Sequence, residues 1–334
     1  MPIVIGDTHF DKNNLNDYRP FFSFLKQKIR DTKTRQLIFL GDIYNTKAII
    51  RSEAQNFFIS VLNELTTEFK GLQIVILVGN HDFENLDCTD SALGPLKLIQ
   101  NVAVIDKPSR INNSLFVPYV HDKTKFLEIC KSEIEADPNL DHVYCHQGIH
   151  GFDYGNGIVD TEGVLAEELP SKVKFVVGHY HKFQERGNVC YLGTPKSHSY
   201  GEANQDKFIA EVSAGGMELI STDFIMPKHY KIKYIKEIDK FDINLEKINE
   251  NDFVEVLVIC KKEDIKDLDR DFILAKFPKQ PGSFRLKFSF IDNTEEIRIS
   301  ENIPVESMLK EYLDSKNIKH VFDRALKVLQ DASL

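Results

Sequence analysis

Five short apolar runs within the first 181 residues each lead directly into a polar side chain that can bind a metal ion. The runs cover residues 3–5, 37–40, 74–78, 143–145 and 175–177. Runs of this length, rich in Ile, Val, Leu and Phe, are typical of buried strands. Because sites in layered α/β proteins form at the carboxyl ends of strands, the five endings are expected to converge on one edge of a sheet.

The segments between the first runs carry a helical pattern. Residues 19–30 and 53–69 place large apolar side chains at the spacing of an amphipathic helix. A further strand-like run covers residues 102–105. This alternation of strands and helices predicts an α/β layered domain over residues 1–225, a sandwich of two sheets flanked by helices.

The pattern changes after Met226-Pro227, where charged and apolar residues begin to alternate. We predict strands over residues 228–235, 253–259 and 283–291, and a helix over residues 264–277. Two amphipathic segments, residues 305–313 and 321–329, are expected to form C-terminal helices. Residues 226–334 therefore predict a second, smaller α+β region.

Composition places the chain among ordinary globular proteins. Its 334 residues suggest roughly two domains, and 42% hydrophobic with 28% charged residues excludes a disordered, collagen-like or coiled-coil chain. The net charge of −9 argues against non-specific coating of DNA, which depends on clustered Lys and Arg, but leaves room for a local basic groove. Four lysines of the second region either contact DNA phosphates or protect an exposed strand from aggregation: Lys228, Lys231, Lys233 and Lys236.

The five cysteines form no CxxC pair, and their odd number implies no disulfide framework, so we expect small buried apolar residues. Cys145 precedes His146 by one position and should face the opposite side of its strand, away from a site. The N-terminus lacks a signal-peptide pattern, and no run of about eighteen apolar residues predicts a membrane span. A reducing, cytoplasmic setting without membrane attachment is expected.

The strand endings supply nitrogen and oxygen ligands without a thiolate. The candidate ligands are Asp7, His9, Asp42, Asn80, His146, His179 and His181. Such a set suits Mn²⁺, Fe²⁺ or Zn²⁺ and argues against a structural zinc site built from cysteines. Seven ligands exceed the needs of one tetrahedral ion, but with one shared carboxylate they suffice for two ions roughly 3.5–4 Å apart.

Local spacing supports this cluster. Positions i and i+2 of an extended segment point the same way, so Asp7 with His9, and His179 with His181, can each reach one cluster. Glycines at positions 6, 41, 79 and 178 allow tight turns where a Cβ would crowd the ligands.

Three histidines compete for the fourth strand ending. His142 precedes the apolar run and His150 lies past the following turn, whereas His146 ends the run directly. We therefore favour His146. A further histidine, His198, lies in the loop after Gly193-Thr194-Pro195, which could face the site.

In this order and spacing, D-x-H, G-D, G-N-H-D, a lone His and G-H-x-H resemble the motifs of the calcineurin-like metallophosphoesterases, over residues 7 to 181. The resemblance implies a four-layer α-β-β-α sandwich with a dinuclear site at the sheet edge. It also implies that Asp7, His9 and His181 hold one ion, that Asn80, His146 and His179 hold the other, and that Asp42 bridges them.

The same resemblance assigns roles beside the metals. His81 would donate a proton or hydrogen bond to the leaving oxygen, and Asp82 would orient a histidine ring. The nucleophile would be a bridging hydroxide, activated because two cations lower the pKa of water. No covalent enzyme intermediate is needed.

A narrower resemblance lies further along the chain. Residues 191–195 (YLGTP) and 199–202 (SYGE) are similar to the Y-x-G-[ST]-P and S-[FY]-x-E stretches of SbcD-type nuclease subunits, which include phage recombination endonucleases. That family implies two divalent ions, Mn²⁺ foremost with Fe²⁺, Zn²⁺ or Mg²⁺ as alternatives. It also implies a capping, DNA-binding domain at 226–300, and C-terminal helices at 301–334 that dock on an SbcC-type, SMC-like coiled-coil ABC ATPase. DNA ends and a second copy of the chain would be the other partners.

One position departs from the nuclease pattern. Three residues after Asp42, where those nucleases usually carry His or Asp, this chain has Asn45. The family implicates this neighbour in nuclease activity and substrate placement, and asparagine cannot transfer a proton at neutral pH. We therefore expect an intact metal cluster and a less efficient exonuclease.

These features predict a two-metal phosphodiesterase, foremost the nuclease subunit of an SbcCD-like recombination and break-repair complex. A stand-alone phosphoesterase acting on nucleotides or phosphoproteins is the first alternative. It would need neither the residues beyond 226 nor the 191–202 stretch. The second alternative is a catalytically weak scaffold for a coiled-coil ATPase, which loss of a ligand would favour, whereas all seven ligand positions are intact.

Overall fold

The computed structural model describes residues 1–47, 50–85 and 87–291. Residues Met1–Ser289 form one compact unit. A second unit, Phe290–Leu334, is described only at residues 290 and 291. The predicted helices at 305–313 and 321–329, and with them the docking region at 301–334, lie outside the described residues.

The described residues contain sixteen strands and four α-helices. The first eight strands are β1 Ile3–Ile5, β2 Gln36–Phe39, β3 Gln73–Leu77, β4 Val102–Ile105, β5 Ser109–Ile111, β6 Ser114–Val117, β7 His142–His146 and β8 Lys174–Gly178. The next eight are β9 Gln184–Arg186, β10 Val189–Tyr191, β11 Phe208–Ser213, β12 Gly216–Ser221, β13 His229–Ile235, β14 Lys240–Phe241, β15 Phe253–Cys260 and β16 Ser283–Phe290. The α-helices are α1 Leu15–Thr32, α2 Ser52–Glu68, α3 Lys123–Ala136 and α4 Arg270–Leu274.

Two six-stranded sheets form a sandwich, the first in the order β12-β11-β1-β2-β3-β4 and the second in the order β5-β6-β7-β8-β10-β9. Strands β1 to β4 run parallel, as do β6, β7, β8 and β10. Parallel pairing places the carboxyl ends of neighbouring strands together. The predicted strands at 3–5, 37–40, 74–78, 102–105, 143–145 and 175–177 are thereby confirmed.

Side-chain alternation along the strands builds four layers. On β1, Ile3 and Ile5 pack against the helices α1 and α2, while Val4 packs between the sheets. On β7, Val143 and Cys145 face α3, and the intervening side chain packs between the sheets. Because both faces of these strands are buried, their sequences are continuously apolar rather than alternating. The predicted α-β-β-α sandwich is confirmed.

Helices α1 and α2 contain the predicted segments 19–30 and 53–69 almost entirely. Helix α3 has no counterpart in the sequence-based prediction. Its buried stripe is narrow, with Phe126, Cys130 and Ile134 at four-residue intervals, so its amphipathic signal is weak. Asp122 caps it, accepting hydrogen bonds from Thr124 N at 2.9 Å and Lys125 N at 3.2 Å.

A third sheet has the order β14-β13-β15-β16 and its own apolar core. Its strands confirm the predictions at 228–235, 253–259 and 283–291. The single helix predicted over 264–277 is wrong. The backbone leaves helical geometry at Leu268, and Asp269 starts α4 by accepting a hydrogen bond from Phe272 N at 2.8 Å. An N-cap side chain in the middle of an apolar pattern thus divides it into a 3₁₀ turn and a short α-helix.

The lysines of this region differ in environment. Lys228 is buried and pairs with Asp206 and Asp223, at 2.9 and 2.8 Å, so neither alternative, contact with DNA or protection of an exposed strand, describes this residue. Lys231 and Lys233 are exposed on β13. Lys236 is half-buried beside an aromatic ring.

No helix in the described ranges is both long enough and apolar enough to cross a membrane. Four of the cysteines, Cys130, Cys145, Cys190 and Cys260, are buried as expected, and Cys88 is partly buried. Burial raises the pKa of the Cys145 thiol well above its ordinary value, so the thiol is protonated at neutral pH.

Replacement of Asp122 by alanine should lower the free energy of unfolding by about 1 kcal/mol, because the first turn of α3 loses its cap. Urea denaturation of the wild type and the variant measures this difference. The matched control is Asp122→Asn, which keeps a side-chain acceptor and should stay close to the wild type. Equal losses in both variants would contradict the capping role.

Candidate metal centre

The predicted ligands lie at one edge of the sandwich, but they come from both sheets. The loops after β1, β2 and β3 carry Asp7, His9, Asp42 and Asn80. The end of β7 carries His146, and the loop after β8 carries His179 and His181. The expectation that all five strand endings meet at the edge of one sheet was therefore wrong, because the strands belong to two sheets. Neighbouring strands of two stacked parallel sheets end side by side, and the site lies where their ends meet.

The ligand atoms form two groups, each within 4.8 Å: Asp7, His9 and His181 in one, and Asp42, His146 and His179 in the other. His9 Nε2 and His181 Nε2 are 3.0 Å apart. In the second group, Asn80 Oδ1 is 2.9 Å from His146 Nε2 and 2.8 Å from His179 Nδ1. All seven predicted ligand side chains are therefore brought together.

Asp42 lies between the two groups. Its Oδ1 is 3.4 Å from His146 Nε2, and its Oδ2 is 3.8 Å from His9 Nε2. Each carboxylate oxygen thus faces a different group, which is the arrangement that a shared ligand requires. A third combination, His9 with Asp42 and His81, also falls within 4.8 Å.

The chemistry of these atoms fits two divalent cations. Asp7 Oδ1 is buried and accepts no hydrogen bond within the described part of the chain. A buried carboxylate oxygen without a partner is costly unless a cation faces it. The approach of His9 Nε2 and His181 Nε2 to 3.0 Å brings two atoms that can bind a metal toward the same space, as two ligands of one ion are.

Burial also sets the protonation of three of the ligands. It lowers the pKa of His9 to about 3 and that of His179 to about 3, so both imidazoles are neutral at neutral pH, the form that binds metals. Burial raises the pKa of Asp7 to about 7. Burial also tends to raise the pKa of Asp42, but neighbouring His146 and His9 outweigh it and hold this pKa well below its ordinary value.

The backbone is strained at this edge. His9, Asp42 and His179 have φ angles of 43°, 47° and 105°, in the left-handed region that side chains rarely adopt. The expected crowding at glycines is present at Gly79, where a Cβ would lie 2.2 Å from Asp42 Oδ1, and at Gly178, where one would lie 2.7 Å from Asp7 Oδ1. Any larger residue at these positions would displace a candidate ligand.

Outer hydrogen bonds orient two of the rings. His146 Nδ1 donates to Leu40 O at 2.8 Å, which leaves Nε2 free to face the cluster. His181 Nδ1 is 2.8 Å from Glu202 Oε1, and Lys207 Nζ donates to Glu202 Oε2 at 2.8 Å. The sequence motifs assigned no role to Glu202, although it is the last residue of the SYGE stretch.

Asp82 has a different role from the predicted one. Its carboxylate accepts hydrogen bonds from the backbone N–H groups of Ile43 at 3.0 Å, Tyr44 at 3.4 Å and Gly79 at 2.9 Å. It therefore ties the loop after β2 to the loop after β3 rather than orienting a histidine ring. Burial, followed by the nearby Asp42 charge, raises the pKa of Asp82 to about 8.

His81 and Asn45 lie beside the cluster. The His81 ring is 5.1 Å from the His9 ring, centroid to centroid, and its Nδ1 is 3.1 Å from the backbone carbonyl oxygen of Asn45. This contact positions the His81 ring through the backbone of residue 45 and does not depend on its side chain. The prediction that Asn45 affects substrate placement stays a prediction.

The remaining histidines differ in whether they lie near the cluster. His142 begins β7 and stacks on Tyr144, and His150 is exposed, so His146 is the one of the three that joins the cluster. His198 lies 5.4 Å from the His9 ring and 5.9 Å from the His181 ring. The loop after Gly193-Thr194-Pro195 does face the site.

A cleft of about 680 Å³ opens beside His181. Its lining residues include Asn45, Tyr154, Asn156, His198 and Glu202. The cluster is thus accessible to a ligand on this side.

Residues 2–210 match the family described as calcineurin-like phosphoesterase. The chain belongs to this family. It is 30% identical over 215 residues to phosphoesterase 244L of invertebrate iridescent virus 6, an alignment covering 61% of this chain and 73% of that protein. It is 24% identical over 315 residues to exonuclease subunit 1 of Enterobacteria phage T4, covering 87% of this chain and 85% of that protein. The chain is a metal-dependent phosphoesterase, and the resemblance identified from its motifs is confirmed.

Replacement of Glu202 by glutamine should weaken Mn²⁺ binding roughly 10- to 100-fold, because the His181 ring loses its charged partner. Calorimetric titration of the metal-free protein with Mn²⁺ measures this. Glu185→Gln, an exposed position on β9, is the matched control and should bind Mn²⁺ like the wild type. Equal dissociation constants for the two variants would rule out the orienting role.

Proposed function

We propose that this protein is a DNA nuclease subunit that hydrolyses phosphodiester bonds at two divalent ions, with Mn²⁺ as the physiological metal. The observation that carries the proposal is the convergence of all seven candidate ligands on one accessible edge. Asp7, His9 and His181 would hold one ion, Asn80, His146 and His179 the other, and Asp42 would face both. When bound, the ions would lower the pKa of water and polarise the phosphoryl oxygens.

His81 would move a proton in this reaction. With Nδ1–H donating to the Asn45 carbonyl at 3.1 Å, Nε2 is the nitrogen left for a substrate oxygen. When protonated, this nitrogen can donate to the leaving oxygen. The Asp42 carboxylate accepts a hydrogen bond from His81 N at 2.8 Å, which fixes the backbone of this residue relative to the cluster. Asp82 acts indirectly, by holding the two ligand-bearing loops together.

Two observations favour DNA over a small phosphate ester. The likeness to the T4 protein named exonuclease subunit 1 extends over 87% of this chain, beyond the catalytic region. The third sheet carries exposed basic side chains, Lys231, Lys233, Arg285 and Lys287. Arg285 and Lys287 form ion pairs with Glu255, which partly neutralises their positive charge. The positive charges of Lys231 and Lys233 on β13 are therefore the less neutralised ones.

The proposal includes an assembly. The domains would be the catalytic region at 1–225, a DNA-binding cap at 226–300 and a docking region at 301–334 for an SbcC-type coiled-coil ATPase. A homodimer and a cytoplasmic location belong to the same hypothesis. The presence of all seven candidate ligands supports an enzyme rather than a non-catalytic scaffold, because loss of a ligand would have favoured the scaffold.

Purified protein with Mn²⁺ should cleave linear double-stranded DNA and bis-(p-nitrophenyl) phosphate. Asp42→Asn and His81→Gln should each lower kcat on DNA at least about 100-fold, since they remove the shared ligand and the proton donor. His150→Gln, at an exposed position, is the control and should be fully active.

The other results of this assay separate the alternatives. Cleavage of the small diester without cleavage of DNA would favour a stand-alone phosphodiesterase. If neither substrate is cleaved by the Mn²⁺-loaded protein, the chain is a scaffold. DNA cleavage that survives both substitutions would place the chemistry elsewhere.

Replacement of both Lys231 and Lys233 by alanine should weaken DNA binding and reduce the dependence of log K on log[salt] by about 2, because two phosphate contacts are lost. Fluorescence anisotropy of labelled duplex DNA over a salt series, without added metal, measures this slope. Lys125→Ala/Lys131→Ala on the exposed side of α3 has the same charge change and should leave the slope as in the wild type. An equal drop in both double variants would mean that only net charge matters.

A further inference from the structure

A tightly tied turn at residues 153–157 borders the cleft. Asp153 Oδ1 accepts hydrogen bonds from Gly155 N at 2.8 Å and Gly157 N at 2.9 Å, and Tyr154 N donates to Ile158 O at 2.9 Å. Gln184 Oε1 accepts from Asp153 N at 2.7 Å, which fastens the turn to β9. The turn is therefore held by both its own side chain and its neighbour.

Tyr154 stands at the tip of this turn, next to the metal cluster. Its carbonyl oxygen accepts a hydrogen bond from His181 N at 3.4 Å, so the residue directly adjoins a candidate ligand. Its ring meets the buried ring of Tyr180 edge to face, with centroids 4.9 Å apart, and Tyr180 stacks on Tyr191 at 4.6 Å. Tyr154 nevertheless remains 42% exposed. It is a rigidly supported aromatic ring with free surface at the cleft.

The rest of the cleft suits an uncharged group rather than a phosphate. Among its described lining residues, Lys196 is the one lysine or arginine; it is 4% exposed and paired with Asp17. The cleft lining also carries the carboxylates of Asp11, Asp17 and Glu202, which disfavour a phosphate, and the neutral groups of Asn45, Asn156 and Ser199. These donors and acceptors match the edges of a nucleobase or the oxygens of a sugar.

Other aromatic lining groups are less available. His229 and Phe253 also line the cleft, but they stack on each other at 4.5 Å, and His229 is 7% exposed. Their facing surfaces are already covered. Among the described aromatic lining residues, Tyr154 has the largest exposed fraction. The cleft volume of about 680 Å³ lies within the range of about 300–1,000 Å³ that small-molecule sites occupy.

We propose that this cleft is a nucleoside subsite in which Tyr154 stacks on the base of the nucleotide adjoining the scissile phosphate. The metal cluster would take the phosphate, and the cleft beside it would take the attached nucleoside. This inference rests on the proposed function, because it assumes a nucleotide substrate. Stacking on an aromatic ring accepts every base, so the subsite would favour nucleotides without selecting a sequence.

The test is equilibrium binding, which needs no DNA cleavage. Dissociation constants of deoxyadenosine monophosphate and of 2-deoxyribose 5-phosphate, which lacks the base, are measured with the Mn²⁺-loaded protein. The wild type should prefer the nucleotide roughly 5- to 100-fold, the range expected for one base stacked on an aromatic side chain. Tyr154→Ala should lose this preference, and Tyr154→Phe should keep it.

Ile158→Ala, an exposed position in the same loop, is the matched control and should keep the preference. Mn²⁺ titration of each variant verifies that the cluster is intact. No base preference in the wild type, or an undiminished preference in Tyr154→Ala, would overturn the subsite. A base preference in a protein that fails to cleave DNA would instead retain the subsite and reject the nuclease, so the two failures are distinguishable.

Discussion

The carboxylate of Asp42 is the point on which the rest of this site depends. Its two oxygens face the two histidine groups, and Oδ1 also accepts the backbone N–H of His81. It contacts residues from both sheets, so the ends of the strands must remain in register for it to be satisfied. The left-handed backbone at Asp42, with a φ of 47°, and the absence of a Cβ at Gly79 are the local conditions for this position.

The fold accommodates a cluster that is unfavourable for stability. Acidic and imidazole groups are buried together, one carboxylate oxygen of Asp7 has no partner in the described residues, and three candidate ligands have strained backbones. Around them the strands are apolar on both faces and the helices cover both sheets. Such a core can hold a strained edge because the cost is local, and strain of this kind concentrates at functional sites. Metal binding would add stability, since the unfolded chain offers no preformed site.

The buried parallel strands and the two long helices were the most predictable elements. Their apolar runs and wide amphipathic stripes are local signals, and the structure confirms them. Helix α3 was missed because its buried stripe is one residue wide. The helix expected over 264–277 was divided by the capping side chain of Asp269, and Lys228 proved to be buried among carboxylates. The first two errors arise from weak or competing local signals, whereas the burial of Lys228 depends on contacts with Asp206 and Asp223 that its own strand pattern does not specify.

The residue pattern alone specified which side chains follow each strand, because apolar runs are local signals. It thereby determined the candidate ligands. The expected i, i+2 alternation does not explain their direction, since His9 and His179 have left-handed rather than extended backbones. Their partners follow from the packing of the whole chain: the two Nε2 atoms that meet at 3.0 Å belong to His9 and His181, 172 residues apart. Likewise, Glu202 supports His181, Asp82 binds backbone amides, and a main-chain carbonyl holds His81. Such contacts form only after two sheets have packed face to face, and that packing depends on the whole core rather than on any single motif.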